Sequence, residues 1–230
     1  LLRNMKRALS EISKSAWVQR FGGQLPVALP PSASTNPYGS AAKEWCARWE
    51  QEAHTIPTGL LDLLPAGGKI LDVGCGSGRD LSAMVQAGFD SYGIEPELQL
   101  RTTAMALHPE LETRISDGIL PGLGRPFGGN FNAILCVNIL QEIPLKDLYP
   151  AAVELQSLIR PGGCLLLTIP QQPYTPIGSE RPPFNLLPIE GLVFLLSCAG
   201  FQLLNKRNIR NKSGCFTVTI FQASLDTGSI

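Results

Sequence analysis

The chain has 230 residues, 44% apolar and 17% charged, the balance of one globular domain with a sizeable core rather than of a disordered segment. Nineteen Lys and Arg offset nineteen Asp and Glu, so no net charge draws the chain to nucleic acid or an anionic lipid surface. No apolar run approaches the roughly 18 residues of a membrane span, and Arg3, Lys6, Arg7, Glu11 and Lys14 interrupt any secretory core near Leu1.

In chain order, residues 2–20 show helical periodicity, with Met5, Leu9, Ile12 and Val18 among charges. Residues 21–37 are rich in Gly, Pro, Ser and Asn and read as a loop. Helical spacing returns at 39–54, with Ala42, Trp45 and Trp49 roughly on one side. From residue 69 strands and helices alternate. Strands are predicted at 69–73, 90–94, 112–115, 131–137 and 163–169, and helices at 78–87, 97–107, about 149–159 and 188–199. Gly88 and Gly200 stand just past two of these helices, where C-terminal glycines belong. Pro150 fits a first helical turn but not a helix interior, which starts that helix near Leu148. Two last strands, 201–209 and 214–222, flank the hairpin turn Asn211-Lys212-Ser213-Gly214. Such alternation dictates right-handed βαβ units and a parallel sheet, to which the hairpin adds one antiparallel strand.

The stretch Asp72-Val73-Gly74-Cys75-Gly76-Ser77-Gly78-Arg79-Asp80 joins the first strand to the next helix. A glycine-rich turn at this place brings backbone N–H groups and a helix N-terminus against a ligand. Glycine permits the positive φ and the close approach this requires. The expected ligand is a nucleoside-bearing cofactor. A dinucleotide fingerprint needs a third glycine where Arg79 stands, and a P-loop needs a Gly-Lys-Ser/Thr ending that is absent. Glu95 ends the next strand about 20 residues on, the interval at which Rossmann-like folds set a carboxylate on ribose hydroxyls. Asp117 ends the third strand segment in another acid.

An acid two residues before G-x-G-x-G resembles the first motif of the class I S-adenosylmethionine-dependent methyltransferases. The resemblance covers roughly residues 56–222. It implies an α/β, Rossmann-like, seven-stranded, mostly parallel sheet in the order 3-2-1-4-5-7-6, with helices on both faces. It divides the chain into an N-terminal helical cap, 1–55, and a methyltransferase domain, 56–230. It implies S-adenosylmethionine as methyl donor, S-adenosylhomocysteine as product, no metal, and a small-molecule acceptor methylated on O, N or C. Cofactor contacts then fall on Asp72, Gly74, Cys75, Gly76 and Gly78, on Glu95 and Pro96, on Asp117 and Gly118 near the adenine, and on Val137 and Asn138. Arg79 is placed on the cofactor carboxylate, since guanidinium geometry fits that group.

Catalytic candidates are fewer. Phe131 to Pro144 forms the fourth strand and its exit loop, which in the family passes beneath the transferred methyl. Small-molecule methyltransferases often carry a histidine near its end, where this chain has Gln141 followed by Glu142. Glu142 is therefore a candidate proton acceptor. The Asp/Asn-Pro-Pro and Pro-Cys patterns of nucleic-acid enzymes are absent there. Leu158-Ile159-Arg160-Pro161-Gly162-Gly163 matches the family's lead-in to strand 5 and is assigned no chemistry. Residues 1–55 and 170–187 are expected on the acceptor side, with Tyr38 nearest the methyl and His54 a second candidate. Two alternatives stay open. A nucleic-acid methyltransferase is favoured only by the cluster Lys206, Arg207, Arg210 and Lys212. A non-catalytic binding subunit is kept open by the missing histidine. Six cysteines form no C-x-x-C pair, which argues for reduced thiols and a cytoplasmic location. Because residue 1 is Leu rather than Met, further natural residues are expected before it.

Overall fold

The computed structural model describes residues 41–52, 61–62, 64–171, 188–211 and 214–224. Seven strands form one sheet in the order β3-β2-β1-β4-β5-β7-β6. They are β1 (Lys69–Val73), β2 (Asp90–Ile94), β3 (Ile115–Ser116), β4 (Phe131–Val137), β5 (Ile159–Pro170), β6 (Phe201–Asn211) and β7 (Gly214–Ala223). The first five run parallel, and β7 lies antiparallel to both β5 and β6. Among the described residues five α-helices accompany them: α1 (Ala42–Trp49), α2 (Arg79–Gln86), α3 (Leu98–Leu107), α4 (Leu148–Leu158) and α5 (Ile189–Cys198).

The strands alternate between two apolar clusters. Leu71, Val73, Ile134, Cys136, Leu165 and Leu167 enter one cluster with α4 and α5. Ile70, Ala133, Leu135, Cys164 and Leu166 enter the other with Leu81 and Met84 of α2. A parallel sheet covered on both faces reads as near-continuous apolar runs, as β4 and β5 do. Each fully buried Leu or Phe contributes roughly 1.5–3 kcal/mol. Helix α4 buries Leu148, Ala151, Ala152, Leu155 and Leu158, the spacing of one helical face.

Three elements differ from the sequence expectation: helix α1, expected over 39–54, ends at Trp49 and gives way to a turn over residues 50–52, and two strands differ as well. Strand β3, expected at 112–115, is only Ile115–Ser116. The residues before it close a 3-10 turn, Pro109–Leu111, in which the Arg114 N–H donates to the Leu111 carbonyl at 2.8 Å. Strand β5, expected at 163–169, begins at Ile159 and pairs Phe131 with Ile159. Its register then shifts, and Gly162 crosses the irregularity at φ 75°. The hairpin β6–β7 forms as expected. Lys206, Arg207 and Arg210 are exposed on β6, the edge strand, where cations discourage pairing with another sheet. Lys212 lies outside the described residues.

Registers set the working end of the sheet. Val73 pairs with Ile94 on one side and with Cys136 on the other. The turns leaving β1, β2 and β4 therefore emerge side by side, the place where open α/β sheets bind ligands.

Candidate cofactor site

The turn after β1 is fixed by backbone bonds. The N–H groups of Gly74 and Cys75 both donate to the Ile94 carbonyl, at 2.7 and 3.0 Å. Gly74, Gly76 and Gly78 all take positive φ, at 73°, 55° and 79°, so the turn needs glycine at its alternate positions. A Cβ at Gly74 would lie 2.1 Å from Cδ1 of Ile139, so the β4 exit loop packs directly on the turn. Gly78 ends the turn as the residue before α2.

Glu95 lies just past β2 and is 5% exposed. Its Oε2 accepts the Gly76 N–H at 3.1 Å, and its Oε1 accepts the Glu97 N–H at 3.0 Å. Burial pushes this carboxyl up to about 7, against the pull of those two backbone donors. Asp72 is 4% exposed, and among the described residues no donor reaches its carboxylate. Burial, then the neighbouring Asp80 and Glu95 carboxylates, push Asp72 up to about 8, while Arg79 pulls the other way. A buried acid without a donor is costly. Two buried acids beside a glycine turn, Asp72 without a donor and Glu95 with one backbone donor on each oxygen, are matched by a ligand that brings a positive charge and a diol.

Arg101 joins the exits of β2 and β3. Its Nη1 donates to the Glu95 and Pro96 carbonyls at 2.6 and 2.7 Å and pairs with Asp117 at 3.0 Å. Asp117 itself is exposed, and Gly118 packs close to Ile94. The apolar side chains of Leu98 and Ile119 are 60% and 66% exposed on the segments that follow these strands.

At the end of β4, Val137 is half-buried and Asn138 takes φ 55°. Thr168 of β5 holds that strained residue. The Asn138 N–H donates to the Thr168 carbonyl at 3.1 Å and hydroxyl at 3.0 Å, and the hydroxyl donates to Asn138 Oδ1 at 3.1 Å. Buried Gln141 donates from Nε2 to the Asn138 carbonyl at 2.6 Å, and its Oε1 has no partner. Glu142 is exposed at the end of the 3-10 turn Leu140–Glu142.

Residues 48–206 match the family model described as a methyltransferase domain, more than half of the chain. The chain belongs to this methyltransferase family. Among curated relatives, a ubiquinone biosynthesis O-methyltransferase of Psychrobacter arcticus is 33% identical over 128 residues, 50% of this chain and 48% of that protein. A ubiquinone biosynthesis O-methyltransferase of Xanthomonas campestris is 27% identical over 155 residues, 60% of this chain and 64% of that protein. The chain thus spans about half the length of the curated relatives it matches first. Among solved structures, a SAM-dependent methyltransferase of Methanosarcina mazei has a TM-score of 0.65 at 17% identity, covering 74% of this chain and 99% of that one. The magnesium protoporphyrin IX methyltransferase of Synechocystis, solved with SAH, has a TM-score of 0.62 at 16% identity, covering 81% and 97%. These likenesses show that the chain has the class I SAM-dependent methyltransferase fold.

The fold gathers Asp72, Gly74, Cys75, Gly76, Gly78 and Glu95 at one end of the sheet, with Val137 and Asn138 alongside. Cys75 is buried, and burial holds its thiol well above the usual range, so it reads as packing rather than as a nucleophile. Arg79 is engaged by α1 and by Asp80. Its Nη1 donates to the carbonyls of Trp49 at 2.6 Å and Glu52 at 3.1 Å, and its other nitrogens pair with Asp80. The carbonyl end of a helix attracts a guanidinium. Leu98, Ile119 and Thr168 were missed from sequence. Leu98 and Ile119 stand three and two residues after the strand-end acids Glu95 and Asp117, a spacing that the sequence carries, whereas the pairing of Thr168 with Asn138 carries no such signal. Tyr38 and His54 lie outside the described residues. No group of three or more His, Cys, Asp or Glu able to hold a metal ion occurs among the described residues.

Proposed function

We propose that this chain is a SAM-dependent methyltransferase acting on an O, N or C nucleophile of a small molecule, with oxygen favoured. The observation that carries the reading is the pair of buried carboxylates, Asp72 and Glu95, on either side of a turn with three left-handed glycines. Glu95 fits a ribose diol, because each oxygen keeps accepting capacity beyond its one backbone bond. Asp72 fits the cationic end of the donor. Leu98 and Ile119 fit the faces of an adenine, and Asp117 its amino group. When bound, the donor supplies a methyl already activated by a sulfonium. The chain's part is alignment, worth roughly 7–11 kcal/mol of barrier from proximity.

Proton removal is the lesser demand. Gln141 is an amide and takes no proton at neutral pH, and Glu142 stands on an exposed loop. An acceptor oxygen that ionises readily, such as a phenol, suits such a site. The O-methyltransferase names of the relatives point the same way. The neutral chain and the edge-strand position of Lys206, Arg207 and Arg210 favour a small molecule over nucleic acid. Residues 1–55 are assigned to the acceptor side, with Tyr38 nearest the methyl, on their sequence alone. A cytoplasmic location is part of the same proposal.

The test uses methyl-labelled donor with a cell extract divided into small-molecule, RNA and protein fractions. Label in an extractable small molecule, dependent on the protein, is the expected result. Label confined to RNA or protein contradicts the reading.

A further inference from the structure

Two side chains of the glycine turn segment, Ser77 and Arg79, reach helix α1. The Ser77 hydroxyl donates to Oε1 of Glu50 at 2.6 Å. Nε2 of His108 lies 3.3 Å from the same oxygen, and Glu110, which takes the Ser82 hydroxyl, lies on the far side of that ring. Arg79 reaches the Trp49 and Glu52 carbonyls at the C-terminal end of α1. Asp80, buried beside it, fixes the guanidinium plane by two bonds, Nε to Oδ1 at 3.0 Å and Nη2 to Oδ2 at 3.1 Å. The Trp49 ring in turn lies against Gly76, where a Cβ would meet it at 3.2 Å. Gly76 is the residue whose N–H holds Glu95.

Resting on the cofactor reading above, we propose that Ser77 and Arg79 are positioning residues: they latch α1 across the glycine turn, so that cofactor occupancy and the seating of residues 42–52 are coupled. Three observations carry this. Helix α1 has eight residues and buries only Ala42, Trp45 and Cys46, too little to stand without an anchor. Its apolar face packs on Leu100 of α3, and its C-terminal end is held by the glycine turn, because positions 77 and 79 bracket Gly78. Its last aromatic ring meets the turn at the glycine that orients the ribose carboxylate. A ligand that orders the turn therefore orders α1, and an unlatched α1 leaves the turn less fixed. The fork matters as well as the charge. A lysine has one ammonium and does not span two carbonyls and both oxygens of Asp80.

The test uses the full chain with S-adenosylhomocysteine as the probe. Dissociation is followed by stopped-flow tryptophan fluorescence and amide exchange over residues 42–52. Ser77→Ala and Arg79→Ala are expected to release the probe about tenfold faster, the effect of one charged hydrogen bond. Arg79→Lys is expected to recover little of that loss. Ser77→Ala combined with Glu50→Ala is expected to be no worse than either alone, because both remove the same bond. In the wild type the probe is expected to slow exchange of the α1 amides, and in Arg79→Ala it is not. Wild-type release rates in Ser77→Ala and Arg79→Ala, or α1 amides indifferent to the probe in the wild type, would overturn the latch while leaving the cofactor reading intact. Failure of the wild type to bind the probe would overturn both. Should Arg79→Ala not fold, the Ser77 and Glu50 cycle decides alone, and additive losses there count against the latch.

Discussion

Asp72 and Glu95 are both buried acids, yet their surroundings divide their roles. Glu95 is held by the N–H groups of Gly76 and Glu97, so its oxygens are already aimed. Glu95→Ala should weaken S-adenosylhomocysteine binding roughly ten- to a hundredfold, the cost of a lost charged acceptor, while Glu142→Ala should leave it near wild type. Equal affinities of the two variants by calorimetry would remove Glu95 from the site. The pH dependence follows from the same pair. Burial raises Asp72 to about 8 and Glu95 to about 7, above their ordinary values of 3.8 and 4.5. Between those limits the folded chain holds more protons than the unfolded chain. Stability of the unliganded protein therefore falls as pH rises through that window. A cationic cofactor favours the ionised carboxylates, so its affinity should rise over the same window. Melting temperatures and donor affinities measured between about pH 5 and about pH 8.5 check both signs. A melting temperature flat or rising with pH, with affinity also flat, would contradict the assignment.

At the scale of elements, the glycine turn is the least tolerant piece. Gly76→Val puts a β-branched side chain at φ 55° and against Trp49. Its loss of S-adenosylhomocysteine binding should exceed that of Glu95→Ala, with circular dichroism unchanged. Wild-type binding by this variant would show that the turn is not a cradle. Strands β1, β2 and β4 were legible end for end: β1 and β4 are short, mainly apolar runs bounded by turn residues, and β2 stands between Gly88 and the acid Glu95 at the interval that the glycine turn sets. Strand β3 was not, because two residues carry no period and the 3-10 turn before it depends on local bonds rather than on pattern. Glu95 was legible by its spacing from Gly74 to Gly78. The partners of Arg79 were not, because Trp49 and Glu52 lie 30 and 27 residues away and their carbonyls carry no side-chain signature. Nor was the unpartnered Oε1 of Gln141, which follows from the left-handed Asn138 that directs its carbonyl to the amide.

At the scale of the whole molecule, donor and acceptor functions are assigned to different stretches of chain. The proposed donor site uses the ends of β1, β2 and β4, which the sheet holds in register. The acceptor side is assigned to residues 1–55 with Tyr38. Deleting residues 1–40 should therefore leave S-adenosylhomocysteine affinity largely intact and abolish transfer to the extract's small-molecule acceptor. A truncated chain that labels that acceptor at the full rate would place the acceptor pocket elsewhere. The central claim, that the turn between Asp72 and Glu95 holds S-adenosylmethionine, is tested most directly by calorimetric titration of that compound into the chelator-treated protein. The account predicts one-to-one binding that S-adenosylhomocysteine displaces and NAD does not. No binding of either compound, or binding only after a divalent ion is added, would contradict it.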